Sequence, residues 1–319
     1  FNFTDENEFN SESIFEVSYS EALKPGISAH AVDNSIYENG GEATALAQAV
    51  GQLSFGGFNV VLPSYYLHEL FTKDEIDPTH PINVDRKQSS RTYATIVPRD
   101  GDGLYYGLPI REKPGWAFGQ SAYIKKFTNW YQWDQEDPAR LRSGINFRHI
   151  RLADVYLMYA EAILNRDGDG AATEAMEFID RVRSRAGVMT LAQYTAANTG
   201  QIPVLHISYI HGDRPYTSPT ADALLTHLRR VERPLELCFE GHRWVDLVRW
   251  GIVKEVFEEL RADDQGREQN IDLTNPIPPI FIQERIRPDF KVAADNYNPT
   301  AHDYFPIPTG EIQSNPEIQ

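Results

Sequence analysis

The chain has 319 residues, of which 41% are hydrophobic, 24% charged and 12% aromatic, so it can bury a large core. Thirty Lys and Arg against 46 Asp and Glu give a formal net charge of −16, which argues against nucleic acid as a partner. Cys238 is the only cysteine, which excludes an intrachain disulfide and a multi-cysteine metal site. No window approaches the roughly 20 continuous apolar residues of a membrane-spanning helix.

Residues 1–145 are predicted to be loop-rich, with short strands and helices. Apolar residues at 14–19 indicate a strand, and "PSYYLHELF" at 63–71 predicts a short helix. "RTYATIV" at 91–97 and "SAYIKKF" at 121–127 alternate as strands do. The segment between them is too polar and glycine-rich for an element of its own, and long loops of this kind are more often functional or mobile than accidental.

Residues 146–319 are predicted to form a helical scaffold that ends in a Pro-rich segment. "NFRHIRLADVYLMYAEAILN" at 146–165 is apolar nearly all round, as in a helix packed on several sides. A short turn leads into "AATEAMEFIDRVRSRAG", where Gly187 ends a second helix. The pair forms an antiparallel hairpin of the tetratricopeptide type.

A further helix is expected to begin after Ser218 and to break or kink at Pro234, which lacks a backbone N–H. The next helix is predicted from Leu235 to Trp250, with Gly251 as its end.

On that helix the charged residues share one face, and the two carboxylates one turn apart repel unless arginines pair with them. The expected structural ion network comprises Glu236, Glu240, Arg243 and Asp246, with Arg151, Arg181, Arg183 and Arg185 of the hairpin as candidate partners.

Two catalytic interpretations compete with this network. Glu236 and Glu240 could act as the acid and nucleophile of a glycosidase, but carboxylates one turn apart on one helix do not flank a sugar bond. Glu240 and His242 could bind a metal, but they point to different sides of a helix. The structural interpretation is preferred.

Four segments occur in the order found in the SusD/RagB family, which the chain therefore resembles from near Phe1 to Gln319, most firmly from Tyr123 onward. They are "IRLADVYLMYAEAILN", "AMEFIDRVRSRAGV", "ERPLELCFEGHRWVDLVRWG" and "YFPIPTGEIQSNP". The resemblance implies a mainly α fold, a superhelix of tetratricopeptide-like hairpins with a loop-rich, short-strand ligand face.

The resemblance also implies a function. Members are non-catalytic lipoproteins of the outer membrane that face the outside of the cell, bind glycans and cap a SusC-like TonB-dependent transporter. The lipid anchor and the first helices would lie upstream of Phe1, so the chain is expected to be the carboxyl-terminal part of a member. Neither a cofactor nor a metal is expected.

A sugar presents a flat apolar face and a rim of hydroxyl groups, so its site needs exposed rings and fork-shaped donors. The predicted ligand-binding residues are Tyr105, Tyr106, Arg111, Trp116 and Trp133. Burial of Trp116 in its own loop is an equal alternative, and one ring of the tyrosine pair is expected to point inward.

Other readings of the sequence remain open. Trp130 is expected in the core, and the aspartates of both "RDGDG" sequences are expected to serve turns, because neither copy has the further oxygen ligands of a calcium loop. The rival functions are a surface glycoside hydrolase that uses a loop carboxylate such as Glu112, and a tetratricopeptide adaptor that binds peptides.

Overall fold

A computed structural model describes residues 2–20, 46–51, 60–98, 101–110, 122–131, 143–208, 215–269, 289–315 and 317. Within these residues the fold is mainly helical. The helices are α1 (Leu46–Val50), α2 (Tyr65–Lys73), α3 (Ser90–Thr95), α4 (Leu152–Asp167), α5 (Ala172–Arg185), α6 (Leu191–Ala197), α7 (Ala221–His227), α8 (Arg233–Leu237), α9 (His242–Trp250), α10 (Val253–Gln269), α11 (Asp289–Asn296), α12 (Pro299–His302) and α13 (Thr309–Ser314).

The described strands form antiparallel pairs. The pairs are β1 (Ser13–Val17) with β6 (Phe147–Arg151), β2 (Ile96–Pro98) with β5 (Ala122–Ile124), β3 (Leu104–Tyr105) with β4 (Leu108–Pro109), and β7 (Ile202–Pro203) with β8 (Tyr216–Thr217). The strand expected at 14–19 is confirmed as β1, and its partner β6 brings the amino-terminal segment onto the start of α4.

The predicted helical hairpin is confirmed as α4 and α5, joined by a 3-10 turn over Gly168–Ala171. Leu157, Ile163 and Ile179 are buried between its helices and their neighbours, in the largest apolar cluster of the described residues. The start of the first helix was predicted too early, because residues before Leu152 extend as β6 to pair with β1.

The helix predicted at 63–71 is confirmed as α2, and the side chain of Ser64 accepts a hydrogen bond from the Leu67 N–H at its start. The strand predicted at 91–97 is wrong over most of its length. Ser89 caps α3 through the Thr92 N–H, so only the last residues of that segment are extended. The glycine-rich segment that follows contains the β3–β4 hairpin, which was not predicted.

Pro234 does not break the helix. The chain runs from α7 through a π-helical turn, Leu228–Glu232, directly into α8. The Arg233 N–H donates to the carbonyl of Leu228, five residues earlier, and this wider turn precedes the residue that lacks an N–H.

The break falls instead at 238–241, so the single helix predicted from Leu235 to Trp250 is wrong. Phe239 and Gly241 adopt left-handed backbone angles, with φ of 65° and 88°, and α9 starts at His242 in a new direction. Glu240 therefore lies in a turn. Arg243 and Asp246 belong to a different helix from Glu236.

Candidate functional site

Arg151 joins the two acidic residues of the predicted network. Its Nη1 lies 2.6 Å from Glu236 and its Nε lies 2.7 Å from Glu240. Lys126 Nζ lies 2.5 Å from Glu240, and Arg185 pairs with Glu236. All but Arg185 are buried. We call these five residues the ion cluster.

A second buried group lies beside the ion cluster. Arg183 lies 2.8 Å from both Asp74 and Glu232, while Arg91 lies 2.6 Å from Glu232 and also pairs with Asp74. Each guanidinium thus contacts two carboxylates, and each carboxylate contacts two guanidiniums. This reciprocal pairing compensates charges that would be costly to bury alone.

The pKa values of the acids follow from this pairing. Burial raises the pKa of Glu236, but the guanidiniums of Arg185 and Arg151 outweigh it and hold the pKa at about 2. Burial opposes ionisation of Glu240 too, but Arg151 and Lys126 lower its pKa below the ordinary value. Both groups are permanent anions at neutral pH and are not poised to donate a proton.

Arg243 lies outside the ion cluster, contrary to expectation, because it belongs to the new helix α9. It donates to the carbonyl oxygen of Arg229 at 2.8 Å, and no described carboxylate forms an ion pair with it. Burial, followed by repulsion from Arg230, lowers its pKa to about 10. Asp246 is paired elsewhere, with Arg233 at 2.7 Å.

Arg243 lines a cavity of about 660 Å³ between α2, α9 and α10. Its lining combines aliphatic side chains such as Leu67 and Leu247 with the rings of Trp244 and Phe257.

The predicted ligand residues have different outcomes. Tyr105 and Tyr106 are both fully buried, so the expectation of an outward ring in this pair is wrong. The hairpin of β3 and β4 turns them onto Val97 and Tyr123 in an apolar cluster. They are therefore not accessible to a ligand. Arg111, Trp116 and Trp133 lie outside the described residues and stay predictions.

The buried tyrosines support a tryptophan that reaches a second cavity. Trp130 packs against their cluster and accepts, through its carbonyl, a 2.9 Å hydrogen bond from the Tyr106 N–H. It is half-buried, and it lines a cavity of about 200 Å³. Its ring meets that of Tyr93 edge to face, with 5.8 Å between centroids. We call this space the aromatic cavity.

Short turns place the other residues of the aromatic cavity. Tyr93 lies so close to Gly103 that a Cβ there would come within 2.6 Å of its ring. Asp102 accepts hydrogen bonds from the N–H groups of Lys87 and Gln88, which fixes the backbone next to Arg86. The acid of this "RDGDG" sequence thus stabilises a turn, and within the described residues no group of acids, histidines or cysteines could hold a metal ion.

Arg86 and Glu236 also line the aromatic cavity. The Arg86 guanidinium lies 5.0 Å from the centre of the Tyr93 ring. Phe3 and Glu12 line it as well, so the cavity combines rings, fork-shaped donors and carboxylates, the chemistry that a sugar requires. No periodic pattern indicated this cavity in advance, because its residues come from segments far apart in the chain.

Comparison with known proteins identifies a family. The SusD family profile matches residues 11–319. SusD-like protein P2 of Formosa agariphila is 31% identical over 140 residues, which cover 43% of this chain and 23% of that protein. SusD-like protein P25 of the same organism is 29% identical over 151 residues, covering 47% of this chain and 24% of that protein.

A solved structure supports the fold. The crystal structure of a SusD superfamily protein from Bacteroides vulgatus aligns with a TM-score of 0.57 at 24% identity, covering 84% of this chain and 46% of that one. The chain thus matches less than half the length of each of these proteins. Within the described residues, no helix combines the length and apolar character needed to cross a membrane.

Proposed function

The chain belongs to the SusD family, a family of non-catalytic binding proteins, and on this basis we propose that the whole protein binds glycan at the cell surface. It would hand the glycan to a SusC-like TonB-dependent transporter, with a lipid anchor holding it to the outer membrane. The match of the family profile over 11–319 carries this proposal. The aromatic cavity adds a place where a sugar ring fits.

The proposed contacts are of two kinds. Trp130 and Tyr93 offer ring faces or edges for the apolar face of a sugar, and Arg86 offers donors for its hydroxyl groups. Arg111, Trp116 and Trp133 would extend this surface from the loops. We further propose that residues 1–145 form the ligand-facing part of one continuous domain and that residues 146–319 form its scaffold.

The pairing of the acids argues against a glycosidase built on them. A glycosidase acid needs a raised pKa beside an open cleft. Glu236 and Glu240 have lowered pKa values, and both are held by Arg151. They serve the scaffold.

The proposal can be tested by calorimetry of the whole protein against a panel of oligosaccharides. We expect binding without product formation, and a loss of affinity of at least tenfold, about 1.4 kcal/mol, in Trp130→Ala. Trp244→Ala is the matched control, because Trp244 is 39% exposed and lines the larger cavity instead. Circular dichroism establishes that each variant is folded.

Two results would contradict the proposal. One is the absence of binding to every oligosaccharide of the panel. The other is release of shortened products, which would establish a hydrolase. If glycan binds but Trp130→Ala, Trp116→Ala and Trp133→Ala all retain full affinity, the function stands and the proposed contacts are wrong.

A further inference from the structure

Two cations lie against the rings of the aromatic cavity. The Lys125 ammonium is 3.7 Å from the centre of the Tyr93 ring and 3.8 Å from the centre of the Trp130 ring. Lys125 is only 1% exposed. Arg86 lies on the same tyrosine ring. Among the described residues, neither cation has a carboxylate within ion-pair distance. A buried cation stabilised only by rings is poorly compensated.

Buried cations elsewhere in the scaffold, unlike Lys125, have carboxylate partners. Arg91, Lys126, Arg151 and Arg183 are buried as Lys125 is, and each contacts at least one carboxylate. In the ion cluster and in the second buried group, every buried cation is therefore paired with a carboxylate. Lys125 departs from this pattern beside the rings of the aromatic cavity, and Arg86, which is half-buried, has no described carboxylate partner either.

The same cavity also has an acceptor with unused capacity. Glu236 lines it and is 6% exposed, and its Oε1 accepts from Arg151 and Arg185. Its Oε2 is buried and has no hydrogen-bond partner. A buried carboxylate oxygen without a donor is costly, and a ligand hydroxyl would satisfy it once the Glu236 side chain turns toward the cavity.

We infer that the aromatic cavity binds a sugar ring that carries an anionic group, a carboxylate or a sulfate. The anionic group pairs with Arg86, the ring packs on Trp130 and Tyr93, and the Glu236 side chain turns so that a ring hydroxyl donates to its Oε2. This inference rests on the proposed glycan-binding function and specifies its ligand class.

Charge and size both favour this ligand. A neutral sugar would leave Arg86 without a counter-ion, whereas an oxyanion accepts its guanidinium fork in a bidentate pair. The net charge of −16 repels anions at long range, but salt screens that field beyond about 10 Å. At contact, the lining holds four basic side chains, Arg86, Arg91, Lys126 and Arg185, against the two carboxylates of Glu12 and Glu236. A volume of about 200 Å³ is below the ~300 Å³ of small drug sites, so it suits one ring.

Protonation of Lys125 adds a pH signature. Burial, and then repulsion from Arg86, lowers its pKa to about 7. The groups against its amine are Tyr93 from α3, Trp130 from the segment after β5, and Arg86. Below pH 7 the amine is charged and attracts an anion, and above it the charge is lost. Affinity for an anionic sugar should therefore fall as pH rises from 6 to 8.5, with proton uptake on binding near pH 7.5.

Calorimetry of the whole protein with matched oligosaccharides tests this inference. The probes are oligogalacturonate, its neutral methyl ester, and a sulfated and an unsulfated galactan. We expect one of the anionic probes to bind at least tenfold more tightly than its neutral counterpart, and Arg86→Gln to abolish that difference. The pair of probes that shows this difference identifies the anionic group as a carboxylate or a sulfate. Arg166→Gln, an exposed arginine on the hairpin, is the matched control and should leave the difference intact.

Arg86→Lys retains the charge without the fork and should keep part of the preference. Lys125→Gln should flatten the pH dependence. If neutral and anionic probes bind equally, or if Arg86→Gln keeps the preference, the inference is wrong while glycan binding stands. If no glycan binds at all, the proposed function fails as well.

Discussion

At the scale of single residues, Arg151 has the largest predicted effect on stability. It contacts both Glu236 and Glu240, and replacing it leaves two buried carboxylates with less compensation. We expect Arg151→Met to lower the free energy of unfolding by about 3–5 kcal/mol. Arg151→Lys should recover little of this lost stability, because an ammonium group cannot reproduce the contacts that a planar guanidinium makes with two acids. Urea denaturation measures both changes.

An exposed arginine provides the control for that experiment. Arg166 lies 2.6 Å from Asp167, but the two side chains are 71% and 44% exposed. Water competes for such a pair, so Arg166→Met should leave the urea midpoint unchanged. Equal midpoints for wild-type protein and Arg151→Met would show that the ion cluster does not reinforce the scaffold.

The need for these pairs was predictable, but the full set of partners was not. Two carboxylates four positions apart in an apolar segment demand cations wherever they fold. Arg151 and Arg185 were among the candidates, whereas Lys126 comes from the segment after β5 and gave no local signal. Which cations pair with Glu236 and Glu240 is determined by contacts between segments far apart in the chain.

At the scale of elements, Gly241 allows the change of direction between α8 and α9. Its φ is 88°, a left-handed angle, yet a Cβ added there meets nothing within 4 Å. Gly241→Ala should therefore destabilise the protein through backbone strain alone, by about 1–2 kcal/mol in urea denaturation.

Gly170 provides the comparison. It also has open space around its Cβ position, but its φ lies outside the left-handed region. Gly170→Ala should be neutral or slightly stabilising, because alanine restricts the unfolded chain. Equal losses in the two variants would show that strain at Gly241 is not the cause.

Sequence periodicity identified the helices better than their ends. The hairpin of α4 and α5 followed from its apolar pattern. The helix break was predicted at Pro234 because proline cannot donate the ordinary i→i−4 hydrogen bond. The π turn just before it allows the helix to continue past this residue. The actual break depends on Phe239 adopting a left-handed angle, which bulky residues rarely do and which sequence patterns do not indicate.

At the scale of the whole molecule, the sequence predicted the family-level architecture better than it predicted where individual rings lie. Tyr105 and Tyr106 are buried because β3 and β4 pair into an unexpected hairpin. Trp130, expected in the core, is half-buried and lines the aromatic cavity. That cavity depends on where separate segments meet, which spacing along one segment does not specify.

The buried acids also set how the whole protein responds to acid. The pKa values of Glu232, Glu236 and Glu240 are all lowered in the fold. Their contribution to stability is complete above the unfolded pKa of about 4.5 and is lost as pH falls through the folded values, which for Glu236 is about 2.

We therefore predict that thermal stability falls steeply between pH 4.5 and pH 2. Protonation also relieves the repulsion that accompanies the net charge of −16, which acts in the opposite direction, but 0.15 M salt screens exposed charges far more than buried pairs. Melting temperatures by circular dichroism across this range measure the balance. Glu236→Gln should have a lower melting temperature than wild type at pH 7, yet its melting temperature should fall less on acidification. Asp167→Asn, at an exposed position, should show the same dependence of melting temperature on pH as wild type. A melting temperature that stays constant down to pH 2.5 would show that these buried pairs do not control the stability of the fold.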